Sequence, residues 1–168
     1  MVAMTSSEEE LRAHLIKFLE SKGLVYNKSY RLGRIEIDLV ALGKYDIWDD
    51  KSSNENIIYA FEMKLASTSS LIKDVIEQAI TRLLMVDYSV IVIPCTANIW
   101  VNDKEKKEIN IDEEVKKRAN GTYSKSLGII CIGNEGEIKV VRKPKRSTIV
   151  INELRQKIIK EMSNKTLF

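Results

Sequence analysis

Asp38, Glu62 and Lys64 are the residues whose types and spacing could do chemistry. Side chains alternate along an extended strand, so Asp38 shares a face with Glu36 and Val40, while Ile35, Ile37 and Leu39 take the other. By the same alternation Glu62 and Lys64 share one face, and Phe61 and Met63 the opposite one. If the two strands pair as a hairpin with Leu42 near Ile57, Asp38 falls opposite Phe61 or Glu62, and the carboxylates come within reach of one shared cation. Two carboxylates a few ångströms apart repel unless a divalent cation neutralises them, and hard oxygen ligands with open water positions suit Mg²⁺. Such an ion polarises a phosphate and helps to generate hydroxide from water, and Lys64 would position that water or stabilise charge developing in the transition state. Asp38 with Glu62-Met63-Lys64 is therefore a complete set for metal-assisted hydrolysis.

Other chemistries lack their residues. The only histidine is His14, inside the first helical pattern, so mechanisms that need a positioned imidazole are disfavoured. Cys95 and Cys131 sit in apolar stretches without CxxC spacing and are expected to be reduced core thiols, neither a zinc site nor a disulfide. Lys and Arg number 27 against 24 Asp and Glu, so any polyanion surface must come from local clustering and not from the net charge of +3. The 44% hydrophobic and 30% charged content is that of a globular protein. No apolar run is long enough to span a membrane, and the segment MVAMTSSEEE lacks a signal-peptide pattern; a cytoplasmic location is expected.

The elements that must position the triplet follow from capping and periodicity. Ser7 and Glu10 form a capping box opening a helix to about Lys22, with Leu11, Leu15, Phe18 and Leu19 as its stripe and Gly23 as its stop. Strands are expected over Val25 to Arg31, Arg34 to Leu42 and Ile57 to Lys64, with the polar stretch Gly43 to Asn56 as a hairpin loop. Ser67 to Ser70 can cap a second helix from about Leu71 to Met85, and YSVIVIP, Tyr88 to Pro94, reads as a strand buried on both faces and reached by a helical crossover. A short helix near Asp112 to Asn120, a hairpin from Leu127 to Arg142 turning at Gly133 to Gly136, and a last helix near Thr148 to Met162 complete the pattern. The expectation is one α/β domain over residues 1–168 with a mixed sheet flanked by helices: a core over about 6–95, then a hairpin and helix over about 96–168.

Asp38 after Ile35-Glu36-Ile37, followed by Glu62-Met63-Lys64 on the next strand, resembles the core of the PD-(D/E)XK nucleases over roughly Glu8 to Pro94. The resemblance implies a restriction-endonuclease-like αβββαβ core and a Mg²⁺- (or Mn²⁺-) dependent endonuclease acting on DNA, with metal held by Asp38, Glu62 and the Met63 carbonyl, and Lys64 assisting the water. Glu8 corresponds to the helical glutamate of archaeal Holliday-junction resolvases and would be an outer metal ligand, with Glu9 and Glu10 as rivals for that role. Gln78 corresponds to the glutamine of RecB-like members; the tyrosine usual four residues later is Arg82 here, one turn from Gln78 and within reach of a phosphate. The proline usual before Asp38 is replaced by Ile37. A homodimer is a further implication of the family.

The basic run Arg142, Lys143, Lys145 and Arg146 could track a phosphate backbone or be a solvated connection, and 104–108 reads as a charged surface loop. The competing functional readings are a non-cleaving nucleic-acid- or partner-binding module on the same fold, and an RNA-cutting defence effector.

Overall fold

The computed structural model describes residues 7–65, 69–100 and 105–165. Helix α1 (Glu8–Ser21) starts where Ser7 Oγ accepts the Glu10 N–H at 3.1 Å, with Glu8, Glu9 and Glu10 on the positive end of the helix dipole. It stops at Gly23, whose φ of +75° is the left-handed conformation that a β-carbon disfavours. Strands β1 (Val25–Leu32), β2 (Ile35–Asp46) and β3 (Lys51–Met63) then form an antiparallel meander. Helix α2 (Ser69–Arg82) crosses to β4 (Tyr88–Pro94), which runs parallel to β3. A separate two-stranded hairpin, β5 (Thr96–Trp100) and β6 (Lys106–Asn110), precedes α3 (Ile111–Arg118). β7 (Gly128–Ile132) adds parallel to β4, β8 (Ile138–Arg142) closes antiparallel on β7, and α4 (Asn152–Lys165) ends the fold.

The result is an open six-stranded mixed sheet in the order β1-β2-β3-β4-β7-β8, between two helical layers. Leu11, Leu15 and Leu19 of α1 bury Leu39, Ala41, Tyr59, Phe61, Val90 and Val92 on one face. On the other, α2 and α3 cover Ile91, Ile93, Ile129 and Cys131. α4 covers Val40, Leu42, Ile58 and Ala60 through Ile158 and Met162. The uninterrupted burial of all seven residues of β4 reflects coverage from both sides.

Four expectations are corrected. Most of Gly43 to Asn56 is not loop: β2 and β3 extend to an Asp46↔Lys51 pair, past an irregularity between Gly43 and Tyr45. The tip is held by Asp46, whose Oδ1 accepts the Trp48 and Asp49 N–H groups at 2.9 and 3.1 Å, and by burial of Ile47 and Trp48. Within 104–108, Lys106 to Glu108 belong to β6, paired with Asn98 to Trp100. Cys95 and Cys131 are joined in a disulfide, so they are not free thiols. The last helix begins at Asn152, after an irregular stretch in which Ser147 N–H bonds the Asp87 carbonyl. Of the residues expected to cap α2, Ser67 and Thr68 lie outside the described residues. Among the described residues no helix is long and apolar enough to cross a membrane.

Candidate active site

The β2–β3 ladder ends at Leu39↔Phe61, so one step further Asp38 stands opposite Glu62, on the face away from α1. The strands part there, and the side chain of Asp38 takes over from the backbone: its Oδ2 accepts the Met63 N–H at 2.9 Å. Glu62 is 2% exposed and also shares a side-chain hydrogen bond with Asp38. The two carboxylates are thus in direct contact at the open end of a hairpin.

Arg82 is the third member of the cluster. Its Nε donates to Glu62 Oε1 at 2.7 Å, one terminal nitrogen to the Glu36 carbonyl at 2.9 Å, and the other to Thr81 Oγ1 at 2.8 Å. Burial pushes the Glu62 carboxyl up to about 8, the negative charge of Asp38 adds to this, and Arg82 opposes it only in part. Without another cation, Glu62 holds a proton directed at Asp38. A buried and a half-buried hard-oxygen donor, Glu62 and Asp38, whose repulsion is offset by a proton fit a divalent ion such as Mg²⁺ or Mn²⁺, which would take that proton's place.

Lys64 follows Glu62 by two residues. Its N–H bonds the Val92 carbonyl at 3.1 Å, continuing the parallel ladder, and the residue is half-buried.

The remaining sequence candidates are placed differently. Glu8 lies exposed in the first turn of α1, whose body packs on the opposite face of the sheet, and Glu9 and Glu10 are exposed as well. Among the described residues no three acidic, histidine or cysteine side chains converge, so Glu8 does not join Asp38 and Glu62 here. Gln78 is exposed on α2 and its carbonyl accepts Thr81 Oγ1 at 2.7 Å. Arg82 is spent inside the site and does not point outward for a phosphate. Arg142 is likewise turned inward, with its three nitrogens on the carbonyls of Leu127, Ala119 and Ser124 at 2.6–3.0 Å. Lys143, Lys145 and Arg146 are exposed, and Arg146 lies over the Tyr88 ring, 5.6 Å from its centroid. Of the four basic residues, Arg142 is thus withdrawn into backbone contacts and the other three face solvent.

Sequence reasoning missed Arg82 as the partner of Glu62. The signal was its position: Val75, Ala79, Arg82 and Leu83 fall on the buried stripe of α2, where a cation requires an anion.

Comparison with known proteins gave no matching family model, no matching curated protein and no matching solved structure.

Proposed function

We propose that the chain is a metal-dependent phosphodiesterase with a restriction-endonuclease-like core, acting on DNA. The observation that carries this reading is the contact between Asp38 and Glu62 at the parting ends of β2 and β3, with Lys64 two residues further along the chain, just past the end of β3. Asp38 and Glu62 would hold the ion, with the Met63 carbonyl completing the protein ligands and water the rest of the shell. A bound Mg²⁺ supplies Lewis acidity to a phosphodiester and lowers the pKa of water. Arg82 fixes one oxygen of Glu62 and leaves the other toward Asp38, so the donor set is oriented before any ion arrives. Lys64 provides an ammonium on the Glu62 face to orient the attacking water or offset charge on the phosphate.

A second reading, that the fold binds nucleic acid without cutting it, draws on the same Arg82: an ion pair at 2.7 Å already satisfies part of Glu62. The two readings separate in one experiment. Labelled single-stranded, duplex, flap and junction DNA, with an RNA strand alongside, are incubated with the purified chain and Mg²⁺ or Mn²⁺. Asp38→Asn and Lys64→Ala are the controls. Cleavage that both substitutions reduce at least about 100-fold is expected. Metal-dependent cleavage that survives them in the purified variants would refute the assignment, and binding without cleavage would favour the second reading.

A further inference from the structure

A surface cleft of about 730 Å³ lies where α3, the segment after it and the chain following β8 meet. Lys116 and Lys117 reach it from α3, Lys125 from the turn before β7, and Lys145 from the stretch after β8, with Arg142 also on its wall. Among the described residues Glu113 and Glu114 are its only carboxylates, and Glu114 is drawn to Arg118 at 3.8 Å. Five cations against two anions give the cleft a local excess of positive charge. Among the described residues none of the four lysines has an ion-pair partner within 4.0 Å, and all four are exposed.

The lysines are mounted on a fixed frame. Arg142 ties the carbonyls of Ala119, Ser124 and Leu127 together, Ser124 Oγ accepts the Gly121 N–H at 2.7 Å, and the Lys145 N–H bonds the Ser126 carbonyl at 2.9 Å. Three separate chain segments thus present ammonium groups along an open trough. Such a row suits a polymer of regularly spaced negative charges better than one compact anion, which would need convergent donors in an enclosed site. Tyr123, two residues before Lys125 in the chain, is 52% exposed, and an exposed ring in the same short segment is of the kind on which nucleic-acid bases stack.

We infer that this cleft is a second, phosphate-backbone site for nucleic acid, separate from the Asp38–Glu62 pair; the choice of nucleic acid rests on the phosphodiesterase reading. Its placement suits a strand that spans both. Glu62, Ile91 and Ile129 are successive partners across β3, β4 and β7 and so point to one face, and Ile129 packs with Val115, Ala119 and Leu127 next to the cleft. The cleft and the carboxylates therefore open on the same side of the sheet, two strands apart.

The test measures binding by the full chain of a fluorescent 20-nucleotide single strand and a 20-base-pair duplex, by anisotropy in EDTA, between 50 and 200 mM KCl. The K116Q/K117Q/K125Q/K145Q variant should bind at least about tenfold more weakly at 50 mM, with a log–log salt slope shallower by about 3. E113Q should bind two- to threefold more tightly at about 50 mM, a gain that misfolding cannot produce. Unchanged affinity and slope in a quadruple variant with a normal thermal melt would overturn the site, as would an E113Q variant with no gain if the quadruple variant does not fold. Wild-type binding to phosphatidylserine vesicles but to neither polynucleotide would also overturn it. Because the binding is measured in EDTA, binding there together with no cleavage in the separate Mg²⁺ and Mn²⁺ assay counts against the phosphodiesterase alone and leaves the cleft standing.

Discussion

Replacing Glu62 with Gln should make the protein more stable at neutral and alkaline pH while removing its capacity to hold a divalent ion. The Glu62 carboxyl is pushed up to about 8 from its ordinary 4.5, chiefly by burial and then by Asp38. Between those values the folded state keeps a proton that the unfolded chain releases, so stability falls as pH rises through this window. The slope approaches about 1.4 kcal/mol per pH unit and accumulates to on the order of 3 kcal/mol by pH 7. A glutamine can reproduce the protonated acid: its oxygen accepts from Arg82 Nε, and its amide donates to Asp38 as the proton did. Urea denaturation of both proteins at pH 5, 7 and 9 gives the difference directly, so other titrating groups cancel. E62Q should gain relative to wild type across the series, with a melting temperature at pH 7 raised by roughly 6–12 °C. A stability difference that is flat with pH, or an E62Q variant weaker than wild type at pH 9, would refute the proton-holding carboxyl. A second arm with about 10 mM Mg²⁺ should stabilise wild type most at high pH, where no proton must be displaced, and leave E62Q unmoved. Failure of that arm alone removes the metal and not the proton.

Two predictions concern the scaffold. Reducing the Cys95–Cys131 disulfide, or substituting both residues with Ser, frees a loop spanning 36 residues of sequence and should lower stability by about 3–4 kcal/mol, seen as a lower denaturation midpoint in dithiothreitol. Arg155 grips Asp87 with two bonds of 2.9 and 3.0 Å and the Asn56 carbonyl at 2.7 Å; R155M should cost about 3–5 kcal/mol in equilibrium denaturation, and adding D87N should recover part of the loss because no buried charge is then left alone.

That Asp38 and Glu62 share a face was legible because strict alternation in Ile35 to Leu39 and Phe61 to Lys64 sends the apolar set to the other side. The observed Leu42↔Ile58 pair differs by one residue from the expected Leu42 with Ile57 and selects Glu62 from the two positions left open. The extended arms of β2 and β3 were not legible, since Lys51 to Glu55 are mostly exposed and carry the polar composition of a loop. What makes them strand is distant: Tyr59 Oη donates to the Tyr45 carbonyl at 2.7 Å and accepts the Ile47 N–H at 3.2 Å. The β5–β6 hairpin was hidden by the mixed charges of Lys106 to Glu108 in the same way. The disulfide follows from a parallel ladder that sets Cys131 beside Ile93, a contact that no spacing in the sequence encodes. Arg82 was seen but assigned outward, because its partner depends on how α2 lies over β3.

The packing of α4 has a consequence for how the chain is made. Its Ile158 and Met162 cover apolar residues of β1, β2 and β3, and Tyr30 reaches across to Glu161. Roughly 90 residues separate the end of β3 from the start of α4, so at about 5–20 residues per second a translating ribosome leaves that patch bare for roughly 5–20 seconds. The nascent meander is then a hydrophobic ledge awaiting a cover not yet synthesised, and this stretch of translation is when the protein most needs a chaperone.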